Sequence, residues 1–198
     1  MSEEHTPTIT PDTLVAPRRL FLRQAGLVSL GVAAATALAS SSAVAGMTMS
    51  KSTADDINIL NSALALEYQG IAAYQIGADS GLLKKGVRDV ALKFQSQHRA
   101  HAGVLAAAVT KLGGKPVEAK KSDQYGFPMA SLKSQNDVLE FAAGLEKGAA
   151  SAYLGAVPVL HNRDLAKAAA SILGDETMHW AVLLSALGKD PVPVAFIA

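Results

Sequence analysis

The sequence predicts an all-α protein, a four-helix bundle in which two antiparallel helix hairpins are joined by a long crossover. Apolar residues recur at steps of three and four in four separate stretches, which keeps one face of each helix turned toward its neighbours. No stretch alternates apolar and polar residues convincingly enough to indicate a half-buried strand. The connections are short, long and short in chain order, which is typical of a bundle with a single crossover.

The first hairpin precedes the crossover. Its first helix covers about residues 54–80, where Thr53 with Asp56 can make a capping-box-like start and Gly81 suits the position just past the end. Its second helix follows a short turn and stops before a pair of glycines. Residues 113–133 then contain prolines and show no helical period. A connection of this length is expected where the chain crosses the whole bundle.

The second hairpin follows the crossover. Ser134 with Asp137 caps the third helix, which we expect to end or kink near Pro158. Asn162 can cap the fourth helix. The tail, residues 189–198, carries two prolines and is predicted to be non-helical.

The first 45 residues have the features of an export signal. Arg18 and Arg19 lie in a PRRLFLR segment that resembles the twin-arginine motif, and a weakly apolar run leads to an A-V-A cleavage site at residues 43–45. We therefore expect residues 1–45 to be a signal for export to the periplasm by the twin-arginine pathway. A flexible lead-in is expected over residues 46–54. The alternative is an uncleaved anchor, although the run is rich in Ala, Ser and Gly and is a poor permanent membrane span.

Composition excludes several classes of function. Lys and Arg number 18 against 17 Asp and Glu, so there is no basic surplus of the kind that nucleic-acid binding uses. The chain contains no cysteine. Thiolate zinc sites, iron–sulfur clusters and disulfides are therefore excluded, and any metal must be held by carboxylates and histidines.

Ionisable residues interrupt all four apolar seams near mid-length. The interruptions are Glu67 on the first helix, His98 and His101 on the second, Glu146 on the third, and Glu176 and His179 on the fourth. An uncompensated charge in a protein core is costly, so four such helices together predict a cation between them. Taken singly, each residue could instead be a surface glutamate or a hydrogen-bonded core histidine. The joint pattern favours a metal site.

The two hairpins are also related to each other in sequence. Glu67 precedes His101 by 34 residues, Glu146 precedes His179 by 33, and a tyrosine follows each of these glutamates by seven. Bundles that bind two metals take one Glu from each of two helices and a Glu-x-x-His pair from each of the other two. In these residues the chain resembles the ferritin-like superfamily, more particularly exported bacterial ferritin-like domain proteins with a twin-arginine signal. The resemblance covers about residues 55–188.

One residue departs from the family pattern. His98 stands where the family has a Glu that commonly bridges two metals, and an imidazole nitrogen offers only one lone pair. Three interpretations therefore stay open: a dinuclear site with three carboxylates and three imidazoles, a mononuclear site, and a degenerate site.

The resemblance implies an exported protein that binds one or two ions of iron or manganese, with zinc also compatible with the ligands. It implies redox chemistry with oxygen or peroxide, such as ferrous oxidation or peroxide removal. Glu67, Glu146 and Glu176 would then anchor the cations, His101 and His179 would hold one metal each, and His98 would complete the coordination. The alternative is a non-catalytic envelope or stress protein with a mononuclear or degenerate site. A manganese-type catalase shares the ligand plan, but the chain is small for one.

The remaining polar and aromatic candidates are assigned to structure. Tyr68, Tyr74, Tyr153 and Trp180 are predicted to be packing residues, whereas His161 and Glu140 are predicted to face solvent. Because the bundle is rich in alanine, we also expect that it can form a homodimer.

Overall fold

The computed structural model describes residues 49–197, and this part of the chain folds as four α-helices without strands. The helices are α1 (Lys51–Asp79), α2 (Lys85–Lys111), α3 (Gln135–Ala156) and α4 (Arg163–Ala186). Helices α1 and α2 form one hairpin, α3 and α4 form the other, and the long connection between α2 and α3 crosses the bundle. The predicted all-α four-helix bundle is confirmed. The predicted signal, residues 1–45, lies outside the described residues.

The helix starts follow side-chain caps. The Ser134 hydroxyl accepts a hydrogen bond from the Asp137 N–H, and the Asn162 side chain accepts from the first turn of α4, as predicted. The start of α1 differs from the prediction. Ser50 caps it by accepting from the Thr53 N–H at 3.1 Å, so residues 51–54 of the predicted lead-in are helical.

Asp56 does not take part in a capping box. Its two carboxylate oxygens accept hydrogen bonds from the backbone N–H groups of His161 and Asn162, at 2.8 and 3.0 Å. Asp56 is buried, and it joins the first turns of α1 to the connection between α3 and α4. A contact between residues so distant in sequence replaces the local contact that the spacing predicts.

The crossover is fastened to α1 by one side chain. The Asn61 amide donates to the Lys115 carbonyl at 3.0 Å and accepts from the Val117 N–H at 2.9 Å. Two short 3₁₀ helices, Ser122–Tyr125 and Met129–Ser131, interrupt the rest of the connection. None of the helices in the described range is both long and apolar enough to cross a lipid bilayer.

The core has two apolar clusters with a polar layer between them. One cluster is built around Leu64, Leu105 and Ile172, and the other around Tyr74, Phe94 and Leu183. Burying a large aliphatic or aromatic side chain contributes about 1.5–3 kcal/mol, so both clusters hold the four helices closely together. The ionisable residues that interrupt the seams lie on the helix turns between these clusters and are shielded from solvent. The tail is non-helical up to residue 197, as predicted.

Candidate metal centre

The structure brings all six predicted side chains into one buried layer. Five of them are less than 4% exposed, and His101 is partly buried. They form two overlapping groups whose ligand atoms lie within 4.8 Å of one another: Glu67, His98, His101 and Glu176 in one, and His98, Glu146, Glu176 and His179 in the other. Each group combines two carboxylates with two imidazoles. His98 and Glu176 belong to both groups.

Four buried side-chain atoms of the described residues have no hydrogen-bond partner, and all four belong to this layer. They are Nδ1 of His101, Nδ1 of His179 and both carboxylate oxygens of Glu176. His101 Nδ1 lies 3.0 Å from Glu176 Oε1, and His179 Nδ1 lies 3.6 Å from Glu176 Oε2, without hydrogen-bond geometry. Leaving buried polar atoms unpaired is unfavourable. Nitrogen and oxygen atoms arranged in this way fit transition-metal binding, in which Glu176 would act together with His101 in one group and with His179 in the other.

The far nitrogen of each of these histidines contacts an acceptor on the opposite hairpin. His179 Nε2 donates to Gln97 Oε1 at 3.2 Å, and His101 Nε2 lies 3.1 Å from Asp175 Oδ2. An acceptor at Nε2 favours the tautomer that carries its hydrogen there, which leaves the Nδ1 lone pair directed into the layer. Sequence reasoning missed Gln97 and Asp175. A signal was present, because each precedes the histidine of its own helix by four residues.

Two tyrosines support the glutamates in the same reciprocal way. Tyr153 on α3 donates its hydroxyl hydrogen to Glu67 Oε1 on α1 at 2.5 Å, and Tyr74 on α1 donates to Glu146 Oε1 on α3. Both tyrosines also belong to the apolar clusters, as predicted for packing residues. Their hydrogen bonds to the glutamates were not predicted, although both glutamates have a tyrosine seven residues later.

The histidines of the layer are strongly basic. Burial alone would lower their pKa values, but the adjacent carboxylates outweigh this effect. The pKa of His98 is raised to about 11 by Glu146 and Glu67, that of His101 to about 9, and that of His179 to about 8. The layer is therefore built so that positive charge is stabilised among its carboxylates.

The carboxylates divide into two kinds. Burial opposes ionisation of all three, but hydrogen bonds from histidines hold the pKa of Glu67 below its ordinary value and that of Glu146 well below it. The pKa of Glu176 is raised, because burial there outweighs the contacts with His101 and His179. Burial and the nearby carboxylates also raise the pKa values of Tyr74 and Tyr153, so both hydroxyls stay protonated at neutral pH.

His98 lies between the two halves of the layer. Its Nδ1 is 2.8 Å from Glu67 Oε2, and its Nε2 is 3.3 Å from Glu146 Oε1. The imidazole therefore reaches a glutamate of each hairpin, at the position where the family pattern has a bridging carboxylate. Phe94, one turn earlier on α2, stacks on the His179 ring with centroids 4.0 Å apart.

The other predicted residues lie outside this layer. His161 is exposed and 3.7 Å from Asp55, and Glu140 is exposed and paired with Lys189. Trp180 is buried in the second apolar cluster, and Tyr68 packs against the first. These placements agree with the predictions.

Comparisons with known proteins agree with the fold. A model of the ferritin-like domain family matches residues 55–189. A conserved hypothetical protein of Mycobacterium tuberculosis is 24% identical with a TM-score of 0.62, over 74% of this chain and 99% of that one. A ferritin-like diiron-carboxylate protein of Bacillus anthracis is 23% identical with a TM-score of 0.59, over 70% and 99%.

A bacterioferritin of Desulfovibrio desulfuricans, whose structures describe a diiron site, is 20% identical with a TM-score of 0.61, over 69% of this chain and 80% of that one. No curated protein matches the chain in sequence. The solved structures share the bundle. The family match covers most of the chain, so this protein belongs to the ferritin-like domain family.

Proposed function

We propose that this protein is an exported metal-binding ferritin-like protein that holds iron or manganese and acts on oxygen or peroxide. The observation that carries the proposal is the set of four unpaired buried atoms, contributed by His101, His179 and Glu176, which lie in one layer with two further carboxylates. Carboxylate and imidazole ligands suit iron, manganese and zinc. The bacterioferritin and the diiron-carboxylate protein of similar fold support iron as the first choice.

The chain's own residues would supply binding, orientation and shielding. Glu67, Glu146 and Glu176 provide the carboxylate oxygens, while His101 and His179 offer Nδ1 with Nε2 already engaged. The apolar clusters on both sides exclude bulk water, which strengthens the electrostatic interactions inside the layer. A bound iron or manganese ion would supply redox chemistry toward oxygen or peroxide.

Metal analysis of the purified protein tests the binding proposal. We expect stoichiometric iron or manganese, and ferrous oxidation or peroxide consumption by the loaded protein. A double variant with Glu67→Ala and Glu146→Ala should lose both properties. Equal activity in the two proteins would eliminate the enzyme proposal, and a wild-type protein that takes up no iron, manganese or zinc would eliminate metal binding.

A second function is favoured by one specific residue. His98 replaces the carboxylate expected at its position, so the bundle could bind metal without catalysing redox chemistry, as a non-catalytic envelope or stress protein. The same assay separates the two proposals. Stoichiometric metal without ferroxidase or peroxide activity would support the non-catalytic function.

Export and assembly are separate proposals. We expect the twin-arginine segment to direct the folded chain to the periplasm, and a double variant with Arg18→Lys and Arg19→Lys should be retained in the cytoplasm. Periplasmic accumulation of that variant would contradict the proposed route. Sedimentation of the purified protein tests the predicted homodimer, which a monomer would exclude.

A further inference from the structure

In the contacts that their residues make, the two halves of the polar layer correspond closely, with one exception. Glu67 corresponds to Glu146, Tyr153 to Tyr74, His101 to His179 and Gln97 to Asp175 in the contacts that they make. The exception is His98, whose counterpart on α4 is Glu176. Three residues after each first glutamate the halves differ again, with Gly70 on α1 and Ala149 on α3.

The two positions that differ, His98 and Gly70, are in contact with each other. A Cβ at Gly70 would lie 3.1 Å from both Cε1 and Nδ1 of His98, which is closer than an ordinary contact, so a side chain at this position would crowd the ring. Glycine inside a helix costs about 1 kcal/mol relative to alanine. Here the glycine makes room for the imidazole. His98 is thus seated in a place shaped for it, which distinguishes the site from one that has lost a ligand at random.

The ring makes unequal contacts with the two halves. Its Nδ1 is 2.8 Å from Glu67, whereas its Nε2 is 3.3 Å from Glu146. A histidine that binds a metal must give up one of its two ring protons, which leaves one N–H and one lone pair. The shorter contact fits Nδ1–H donating to Glu67, and Nε2 then directs its lone pair toward the half that contains Glu146.

The glutamates are unequally engaged as well. Both oxygens of Glu67 have partners, because Oε1 accepts from Tyr153 and Oε2 from His98. The contacts of Glu146 with Tyr74, His98 and His179 all fall on its Oε1. Glu146 is therefore better placed than Glu67 to give an oxygen to a cation.

The approach from the surface favours the same half. A cavity of about 230 Å³ lies between α1 and α3 and is lined by Gly70, Gly148, His98 and Glu146 among others. Glu67 does not line it. A Cβ at Gly148 would meet no atom within 4 Å, so the space beside this glycine is open.

We propose that the centre holds one divalent transition-metal cation tightly, in the half formed by His98, Glu146, Glu176 and His179, and that His98 seated on Gly70 sets this number. The half formed by Glu67 and His101 binds a second cation much more weakly. This inference rests on the proposed metal-binding function and deepens it, because it chooses among the dinuclear, mononuclear and degenerate interpretations.

Titration of the metal-free, full-length protein with manganese(II) tests the number directly. Equilibrium dialysis with elemental analysis should give one tightly bound ion per chain. Two ions of equal affinity would overturn the inference and leave metal binding intact. No bound manganese, iron or zinc would overturn the metal-binding function itself.

Matched variants test which half is used. Glu146→Gln removes a charged ligand and should weaken manganese binding by more than about 100-fold. Glu67→Gln changes an acceptor of His98 and of Tyr153 but no ligand of the proposed half, and should weaken binding by about tenfold. Equal losses, or a larger loss for Glu67→Gln, would contradict the assignment. Both variants keep the side-chain volume, and circular dichroism and thermal unfolding report whether they fold.

A double variant tests the role of the seated imidazole. His98→Glu combined with Gly70→Ala restores the pattern of the other hairpin and should raise the stoichiometry to two manganese ions per chain. A folded double variant that still binds one ion would show that His98 does not set the number. If that variant does not fold, the single variant His98→Gln tests whether His98 is a ligand. An unchanged affinity for manganese would contradict a bond between the metal and Nε2 of His98.

Discussion

Changing Glu176 to Gln should stabilise the metal-free protein, whereas the same change at Glu146 should destabilise it. Glu176 is fully buried, and neither of its oxygens has a hydrogen-bond partner among the described residues. Its pKa is raised by burial, which means that the folded state disfavours its charge. The Gln side chain keeps the shape and removes that charge.

The expected magnitudes follow from the contacts. Glu176→Gln exchanges a buried carboxylate without partners for a neutral amide of the same shape, and a charged group costs more than a neutral one to leave buried and unpaired, so the free energy of unfolding should rise by on the order of 1 kcal/mol. For a chain of this size each kcal/mol shifts the unfolding midpoint by about 2–4 °C. Glu146 instead accepts from Tyr74 and His98, and losing hydrogen bonds to a charged group costs about 1.5–3 kcal/mol.

Bound metal should make the wild-type protein more stable than the Glu176→Gln variant, which is the reverse of the order without metal. At a free metal concentration 1,000 times the dissociation constant, binding stabilises the wild-type fold by about 4.1 kcal/mol. Glu176→Gln removes a ligand and should gain far less, although it starts from a more stable metal-free state. Urea unfolding at pH 7 measures the difference in the free energy of unfolding between the two proteins, first with a chelator and then with manganese.

A surface variant provides the control. Glu140 is exposed and paired with Lys189, so Glu140→Gln should change the stability of the metal-free protein by less than about 1 kcal/mol and leave the metal-induced gain unchanged. The reasoning would be refuted if Glu176→Gln destabilised the metal-free protein as much as Glu146→Gln, because the unpaired carboxylate would then have been a stabilising contact.

Three further predictions concern the metal-free protein. Its stability should fall above neutral pH. The pKa values of His179 and His101 in the folded protein, about 8 and about 9, exceed the ordinary value of 6.5. The stabilisation from these two protonated histidines is therefore complete below pH 6.5 and is lost as the pH rises through 8 and 9. A flat profile of unfolding midpoint from pH 6.5 to 9.5 would contradict this. Tyr153→Phe leaves Glu67 Oε1 without its donor and should cost about 1.5–3 kcal/mol in urea unfolding; no loss would mean that the contact contributes nothing. Asn162→Ala removes the cap of α4 and should cost about 1 kcal/mol by the same measurement, and unchanged stability would show that the capping bonds are dispensable.

Apolar periodicity was sufficient to predict the four helices and the six residues of the polar layer. The helical period fixes the face on which a residue lies. Because Glu67 shares a face with Leu64 and Tyr74, which are buried in the two clusters, its side chain is expected in the core. The start of α1 was not predictable in this way. Thr53 and Asp56 match a capping box locally, but Asp56 is used by the connection between α3 and α4, 105 residues away.

Contacts between the hairpins explain what the sequence did not reveal. Helical spacing tells which residues share a face, but it does not tell which residue of the other hairpin lies opposite. Tyr153 meets Glu67, and Gln97 meets His179, only because the hairpins pack in one particular register. The internal repeat would have shown that these positions matter in both halves, without identifying their partners.

The repeat also makes the departure at His98 interpretable. If the site had simply lost a ligand, the surrounding residues would have no reason to fit an imidazole. Instead Gly70 leaves space at the ring, Glu67 accepts from one nitrogen, and Glu146 lies at the other. A carboxylate at this position would present two equivalent oxygens to the two halves, whereas the imidazole presents one N–H and one lone pair. The substitution therefore makes a pair of similar half-sites unequal, because the imidazole lone pair can serve only the half that contains Glu146, while the N–H of the same ring is used by Glu67.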